Sequence, residues 1–281
     1  MKKIGFIDYY ISEWHANNYP AWIKEINAEL GTDFVLSYAW AEEDVSLIDG
    51  KTTDEWCKKF HVERCASIAE LCEKSDCILI LSPSNPEKHL AYAEQALKYG
   101  KPTYIDKTFA PDYATAKKIY EIAERYSTPM FSTSALRYAD EIAKYNGDAK
   151  NIFTTGGGRA FGEYAVHQIE MAVKTLGTGA KRVKAEREVD RITCRIEFEG
   201  GRASTIMWAY ELPFNVFIAG ADGVTFYHSV KSDFFKSLIR DILRFYDSKT
   251  PSFDKAQTME VIKIRDAALK AIENERIWQE V

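Results

Sequence analysis

Apolar residues in the first half of the chain fall into short unbroken runs separated by stretches with a helical period. Residues 3–7, 34–38, 77–81, 103–105 and 130–132 read as buried strands. Between the last three lie two helical patterns. In the first, Asn85 is placed to cap, Pro86 takes the first turn, Leu90, Ala93 and Leu97 face inward, and Gly100 ends the helix. In the second, from about Asp112, the residues Ala116, Ile119, Ile122, Ala123 and Tyr126 keep the period until Pro129 forbids continuation. Strands alternating with helices predict βαβ units and a parallel sheet covered on both faces.

After about residue 134 the rhythm changes. An amphipathic helix over residues 163–176 is followed by a strict alternation in which Ile192, Cys194, Ile196 and Phe198 face one way. Gly200 and Gly201 then offer a hairpin turn, and residues 204–210 return. Further strands are expected at 214–219 and 224–228, and helices at 233–247 and 255–274. The pattern thus predicts an α/β protein: a doubly wound parallel sheet over residues 1–134, then an α+β domain with a mostly antiparallel sheet over residues 135–281. The last helix is expected to pack back on the first domain.

Composition narrows the function classes. Of 281 residues 46% are hydrophobic, and no long charged or Ser/Gly-rich tract interrupts them, so the chain reads as globular. Lysine and arginine total 37 against 42 acidic residues. The net charge of −5 gives no support for nucleic acid or an anionic membrane surface, leaving small molecules or a second copy of the chain as partners. Cys57, Cys65, Cys72, Cys77 and Cys194 contain no Cys-x-x-Cys pair, so neither a disulfide frame nor a zinc site is suggested, and a reducing cytoplasm fits. The first residues do not resemble a signal peptide, and no long apolar run suggests a membrane span.

Open parallel sheets bind ligands beyond the carboxyl ends of their strands, which directs attention to residues 8–15, 82–89 and 106–110. Ser82, Pro83 and Asn85 leave a strand and open a helix whose N–H groups could meet a phosphate or carboxylate, or could simply be capped. Lys107, at another strand end, could direct its charge at a substrate hydroxyl or carbonyl, or be merely solvated. On the helix after residue 160, steps of four and three place Glu163 and Glu170 beside His167. A carboxylate holding one ring nitrogen would leave the other as a general base, although an exposed helix with incidental charge pairs has the same spacing. No second nearby histidine completes a common metal set, so no metal is expected.

These segments resemble the Gfo/Idh/MocA family of NAD(P)-dependent sugar and polyol oxidoreductases. Ser82-Pro83 with His89, then Ala96-Leu97 and Gly100-Lys101-Pro102, is similar to the family's strand-end Thr-Pro, its downstream histidine and its Ala-Leu-x-x-Gly-Lys helix end. Asp106-Lys107-Thr108 stands where the family has Glu-Lys-Pro. Gly156-Gly157-Gly158 followed by Glu163, His167 and Glu170 resembles the family's Asp-x-x-x-His-x-x-Asp helix with both aspartates lengthened. The resemblance implies a Rossmann domain, a second domain whose open sheet forms a homodimer or homotetramer, and NAD or NADP with substrate between the domains. It also implies Lys107 and His167 as the catalytic pair, Glu163 as the residue orienting the histidine, and Glu170 as a further substrate contact.

One departure cuts against this. The family's first loop carries Gly-x-x-Gly-x-Gly; here only Gly5 remains, with Asp8 and Tyr10 at the next two glycine positions. A unit charge at 4 Å from a phosphate is worth about 4 kcal/mol at a surface-like dielectric, so Asp8 is expected to oppose a pyrophosphate. The acid that usually ends the second strand is replaced by Ser37-Tyr38-Ala39-Trp40, with Glu42 and Glu43 later. Tyr9, Tyr10, Trp14, Tyr19, Trp22, Tyr38 and Trp40 are expected to fill space a cofactor would take, Trp22 and Tyr38 as core, with Tyr9 and Tyr10 as pocket or core. The cofactor-binding candidates are therefore Gly5, Asp8, Tyr9, Tyr10, Ser82, Pro83, Asn85, His89 and Asp106. Three functions compete: an NAD(P)-dependent oxidoreductase of a sugar, polyol or related hydroxy compound; a non-catalytic ligand-sensing relative that has lost dinucleotide binding; and redox-neutral sugar chemistry with a retained cofactor.

Overall fold

The computed structural model describes residues 1–145, 147–223 and 225–281. The chain divides into two compact units, residues 1–133 with 238–253, and residues 134–237 with 254–281.

The first unit is built on a six-stranded sheet of β1 (Lys2–Asp8), β2 (Phe34–Ala41), β3 (Glu63–Arg64), β4 (Cys77–Ile80), β5 (Thr103–Ile105) and β6 (Met130–Phe131). The order is β3-β2-β1-β4-β5-β6 and every pairing is parallel. This is the doubly wound arrangement, whose topological switch lies beside β1. The crossovers carry α1 (Trp14–Leu30), α2 (Thr53–Phe60), α3 (Ile68–Lys74), α4 (His89–Ala96) and α5 (Tyr113–Arg125). Thr52 and Glu55 form a reciprocal cap at the start of α2, Asp112 caps α5, and Gly31 takes a left-handed φ of 66° to end α1. Asn85 does not cap as expected: it precedes a short 3₁₀ turn, Pro86–Lys88, and its amide donates to Glu87.

The second unit carries α6 (Asp140–Ala143), β7 (Ala149–Gly156), α7 (Phe161–Leu176), β8 (Ala180–Arg187), β9 (Arg191–Phe198), β10 (Ala203–Ala209), β11 (Asn215–Gly220), β12 (Thr225–Ser229) and, after the excursion of the next helix, α9 (Lys255–Glu273) and β13 (Gln279–Glu280). Its seven strands run β12-β11-β7-β10-β9-β8-β13, antiparallel except between β7 and β10. The alternation read at Ile192 to Phe198 is the inward face of β9, which shares one core with Ile169 and Val173 of α7 and Ile264 of α9. The strand expected at 224–228 begins at Val224, outside the described residues.

Helix α8 (Phe234–Ser248) begins in the second unit and rejoins the first from Leu238. Its buried stripe of Leu238, Ile242, Phe245 and Tyr246 covers the six-stranded sheet; the Tyr246 hydroxyl donates to the Ile78 carbonyl at 2.7 Å, and Phe245 meets Phe131 edge-on at 4.8 Å. The helix that returns to the first unit is thus the penultimate one, while α9 belongs to the second. Periodicity reveals that a helix has a buried face, not which layer that face covers.

Two residues of β1 are fixed by what lies over them. Gly5 sits under α3, where an added Cβ would come 2.5 Å from Leu71 Cδ2 and 2.5 Å from Ser75 Oγ. Asp8, the last residue of the strand, is 1% exposed; its Oδ1 accepts from Tyr9 N (2.7 Å), Ser82 N (3.0 Å) and Ser82 Oγ (3.1 Å). Ser82 itself has a left-handed φ of 59°, a costly conformation for a residue with a Cβ, and the Asp8 carboxyl holds it there. Burial, reinforced by the nearby Glu13 carboxylate, pushes the Asp8 carboxyl well above the usual range.

Gly5→Ala is expected to lower stability by about 1–3 kcal/mol in chemical denaturation, because α3 must shift to admit the methyl group. For Asp8 the folded state binds its proton more tightly than the unfolded state. Wild-type stability should therefore fall as pH rises through roughly 4, where the unfolded aspartate ionises. Asp8→Asn removes that loss, so its stability relative to wild type should grow between about pH 4 and 7; a constant difference across that range would contradict the assignment.

Candidate functional site

The carboxyl ends of β1, β4 and β5 bring together the loops singled out in the sequence. Lys107 follows β5; it is 7% exposed, and its ammonium donates to the Pro83 carbonyl at 3.2 Å. The preceding Asp106 is 1% exposed, with Oδ1 accepting from Lys107 N at 2.8 Å and Oδ2 paired with His15 Nδ1. Burial alone would raise the Asp106 carboxyl, but the charges of His15 and Lys107 outweigh it and hold the group below the usual carboxylate range. The His15 ring also stacks on Tyr19 at 5.3 Å. The Lys107–Thr108 peptide bond is cis.

His15 was not among the sequence candidates, nor was Glu13, the N-cap of α1. The Glu13 carboxylate accepts from His15 N (2.8 Å) and from Ala16 N, and is 5% exposed. Burial pushes its carboxyl up, and the His15 charge together with these amides draws it back. The like charge expected of Asp8 is therefore misplaced: Asp8 turns inward onto Ser82, and the carboxylate at the head of α1 belongs to Glu13. His89 is fully buried, with its ring nitrogens on the carbonyls of Phe109 (3.0 Å) and Leu81 (2.6 Å), so it ties two strand-end loops together.

The second strand also needs correcting. β2 runs to Ala41, so Glu42 stands directly at its end, where the sequence reading placed no acid. Its amide donates to Asp8 O at 3.1 Å, and the next amide, of Glu43, donates to Tyr9 O at 2.7 Å, extending the β1–β2 register past the formal strands. The Glu42 side chain is 35% exposed; Lys88 pairs with it, Tyr92 Oη donates to it at 2.7 Å, and Lys88 foremost holds its carboxyl low. Tyr9 and Tyr10 are half-buried beside it, their rings 5.6 Å apart, with the Lys88 ammonium 4.7 Å from the Tyr9 ring centre.

In the second unit, His167 of α7 is 8% exposed. Its Nδ1 lies 2.6 Å from Ser134 Oγ, and its ring is flanked edge-on by Tyr164 and Phe214. The two glutamates of the expected trio are directed to arginines: Glu163 to Arg159 at 2.9 Å and Glu170 to the buried Arg137 at 2.9 Å. Ser134 N also approaches Glu170 at 3.4 Å, so Ser134 links that ion pair to the imidazole. Gly157 and Gly158 allow this packing, since a Cβ at 157 would strike the Ala209 carbonyl at 2.5 Å, and one at 158 the Tyr164 ring. Among the described residues no group of three or more His, Cys, Asp or Glu side chains is placed to hold a metal ion, and no helix is long and apolar enough to cross a membrane.

Comparison with known proteins agrees with this arrangement. Residues 40–133 match the family model described as "Oxidoreductase family, NAD-binding Rossmann fold", that of Gfo/Idh/MocA proteins. Similar solved structures include a probable dehydrogenase from Thermotoga maritima, with a TM-score of 0.80 and 14% identity over 99% of this chain and 98% of that one. GenD2 from gentamicin A biosynthesis, solved in complex with NAD, gives 0.79 and 11% over 100% and 97%. The UDP-N-acetylglucosamine 3-dehydrogenase GnnA from Acidithiobacillus ferrooxidans gives 0.76 and 15% over 97% and 98%. No curated protein matches in sequence. At these identities the structural likenesses show the fold; the sequence match, which spans β4, β5, Asp106 and Lys107, likens residues 40–133 to the NAD-binding Rossmann fold of the Gfo/Idh/MocA oxidoreductases.

Proposed function

We propose that the protein is an NAD(P)-dependent oxidoreductase acting on a sugar, polyol or related hydroxy compound, with Lys107 and His167 as its catalytic pair. The observation that carries this reading is Lys107: an ammonium almost wholly removed from water, at the sheet end where open α/β sheets bind ligands, inside the stretch that matches the family. Two proteins of similar fold support the reading: GnnA, named for a nucleotide sugar, supports the substrate class, and GenD2, solved with NAD, supports the cofactor.

The residues present fit a dinucleotide at its adenosine end. Glu42, directly after β2 and partly open to solvent, offers the carboxylate acceptor that a ribose diol needs. NAD(P)⁺, when bound, supplies the hydride acceptor. The chain's own residues manage the charges and the proton. With Nδ1–H of His167 donated to Ser134 Oγ, Nε2 is the basic nitrogen and takes the substrate's hydroxyl proton. Lys107, whose ammonium donates to the Pro83 carbonyl and whose amide donates to the Asp106 carboxylate, stabilises the oxygen as negative charge develops on it. Arg137 holds Glu170, and through Ser134 that pair limits how the imidazole can turn.

Glu13 favours a second reading, a ligand-sensing relative without dinucleotide chemistry, because its carboxylate takes up the first amides of α1.

Incubation of the pure protein with NAD⁺ or NADP⁺ and a panel of sugars and polyols should produce reduced nicotinamide with at least one of them. His167→Ala and Lys107→Ala should each lower kcat by about 10²–10⁴-fold with KM for the nicotinamide little changed. A folded wild-type protein that forms no reduced nicotinamide with any of these compounds would overturn the first reading in favour of the second.

A further inference from the structure

In a doubly wound sheet the first βα turn delivers a dinucleotide's diphosphate to the amides that open the following helix, and glycines make the close approach possible. Here those amides already have an anion. Glu13 places its carboxylate on His15 N and Ala16 N, and the group is almost wholly buried. Its surroundings are built around it. His15, two residues on, is paired with Asp106, which fixes its ring at the head of the helix. The neighbouring Ser12 is tied down through Asp49 and Ser46, at 3.0 and 2.6 Å, which fixes the backbone that aims Glu13 at the helix.

From this geometry we infer that Glu13 is an internal competitor for the cofactor's diphosphate and the residue that sets dinucleotide affinity in this chain. The inference rests on the oxidoreductase reading, since it presumes that a dinucleotide is what the sheet end receives. A diphosphate reaching α1 must displace the Glu13 carboxylate or share its amides, and two anions on the same donors repel each other. A ligand without phosphate meets no such conflict. Glu13 therefore discriminates against the diphosphate while leaving adenosine recognition at Glu42 untouched.

The test uses the full chain and reads binding rather than turnover. Wild type, Glu13→Gln and Glu13→Asp are titrated with NADH by calorimetry, and separately with adenosine as the phosphate-free probe. Glutamine keeps an oxygen acceptor for the helix cap and removes the charge; aspartate keeps both the charge and a good cap. Glu13→Gln is expected to bind NADH at least about tenfold more tightly than wild type, Glu13→Asp to stay close to wild type, and adenosine to bind all three alike. Should the glutamine variant fail to fold by circular dichroism, Glu13→Ser supplies a neutral cap and the same tightening is expected. Equal or weaker NADH binding by the folded neutral variant would overturn the inference while leaving the oxidoreductase reading in place. Failure of every variant to bind NADH would overturn both.

Discussion

The buried pairing of Asp106 with His15 is the interaction on which the candidate site of the first unit depends. Asp106 leaves β5 and His15 lies in the first turn of α1, so the pair joins a strand end to the helix beside the sheet's switch point. A carboxylate this deeply buried is tolerated only when paired and hydrogen-bonded, and removing one partner of such a pair typically costs about 3–5 kcal/mol. Asp106 meets the requirement twice over, through His15 and through the amide of Lys107. The same pairing positions the backbone from which the Lys107 ammonium reaches Pro83.

That constraint explains how a chain without the usual glycines closes its first loop. Where glycine would bring bare backbone to an external anion, this protein uses its own carboxyl groups to satisfy the backbone: Asp8 on Ser82 and Tyr9, and Glu13 on the amides of α1. The loop thus takes up several of its own amides, and its tyrosines pack against each other. Such internal pairing favours folding but removes donors from a ligand, a trade-off common at functional sites. A first loop filled by its own carboxyl groups is compatible with the proposed chemistry, because Glu42, Lys107 and His167, to which that proposal assigns ribose binding and catalysis, lie outside the loop.

Much of this architecture was legible in the sequence because it rests on periodicity. The strands β1, β4, β5 and β6, the alternation of β9 and the helix α7 follow directly from the spacing of apolar residues. What periodicity cannot express was missed. β2 extends three residues beyond its apolar run because Trp40 and Ala41 continue the parallel register with β1, and this carries Glu42 to the strand end. Glu13 was hidden because Ser12 beside it is the more usual capping residue; the acid caps only because the loop geometry turns it onto the helix. His15 and Ser134 became visible only through partners 91 and 33 positions away, at Asp106 and His167. The short helices α2 and α3 are each under three turns, too brief for a period to declare itself, and the destination of α8 is decided by tertiary packing alone.

In the proposed site the carboxyl end of the six-stranded sheet receives a dinucleotide, and the position of its diphosphate is filled by the chain's own Glu13 carboxylate. A crystal structure of the wild-type protein grown with excess NADH tests it most directly. The expected map has the adenosine ribose on Glu42 and the diphosphate at the head of α1, with the Glu13 side chain turned away from His15 N and Ala16 N. A dinucleotide bound elsewhere, with Glu13 still capping the helix and Glu42 still held by Lys88 and Tyr92, would contradict it.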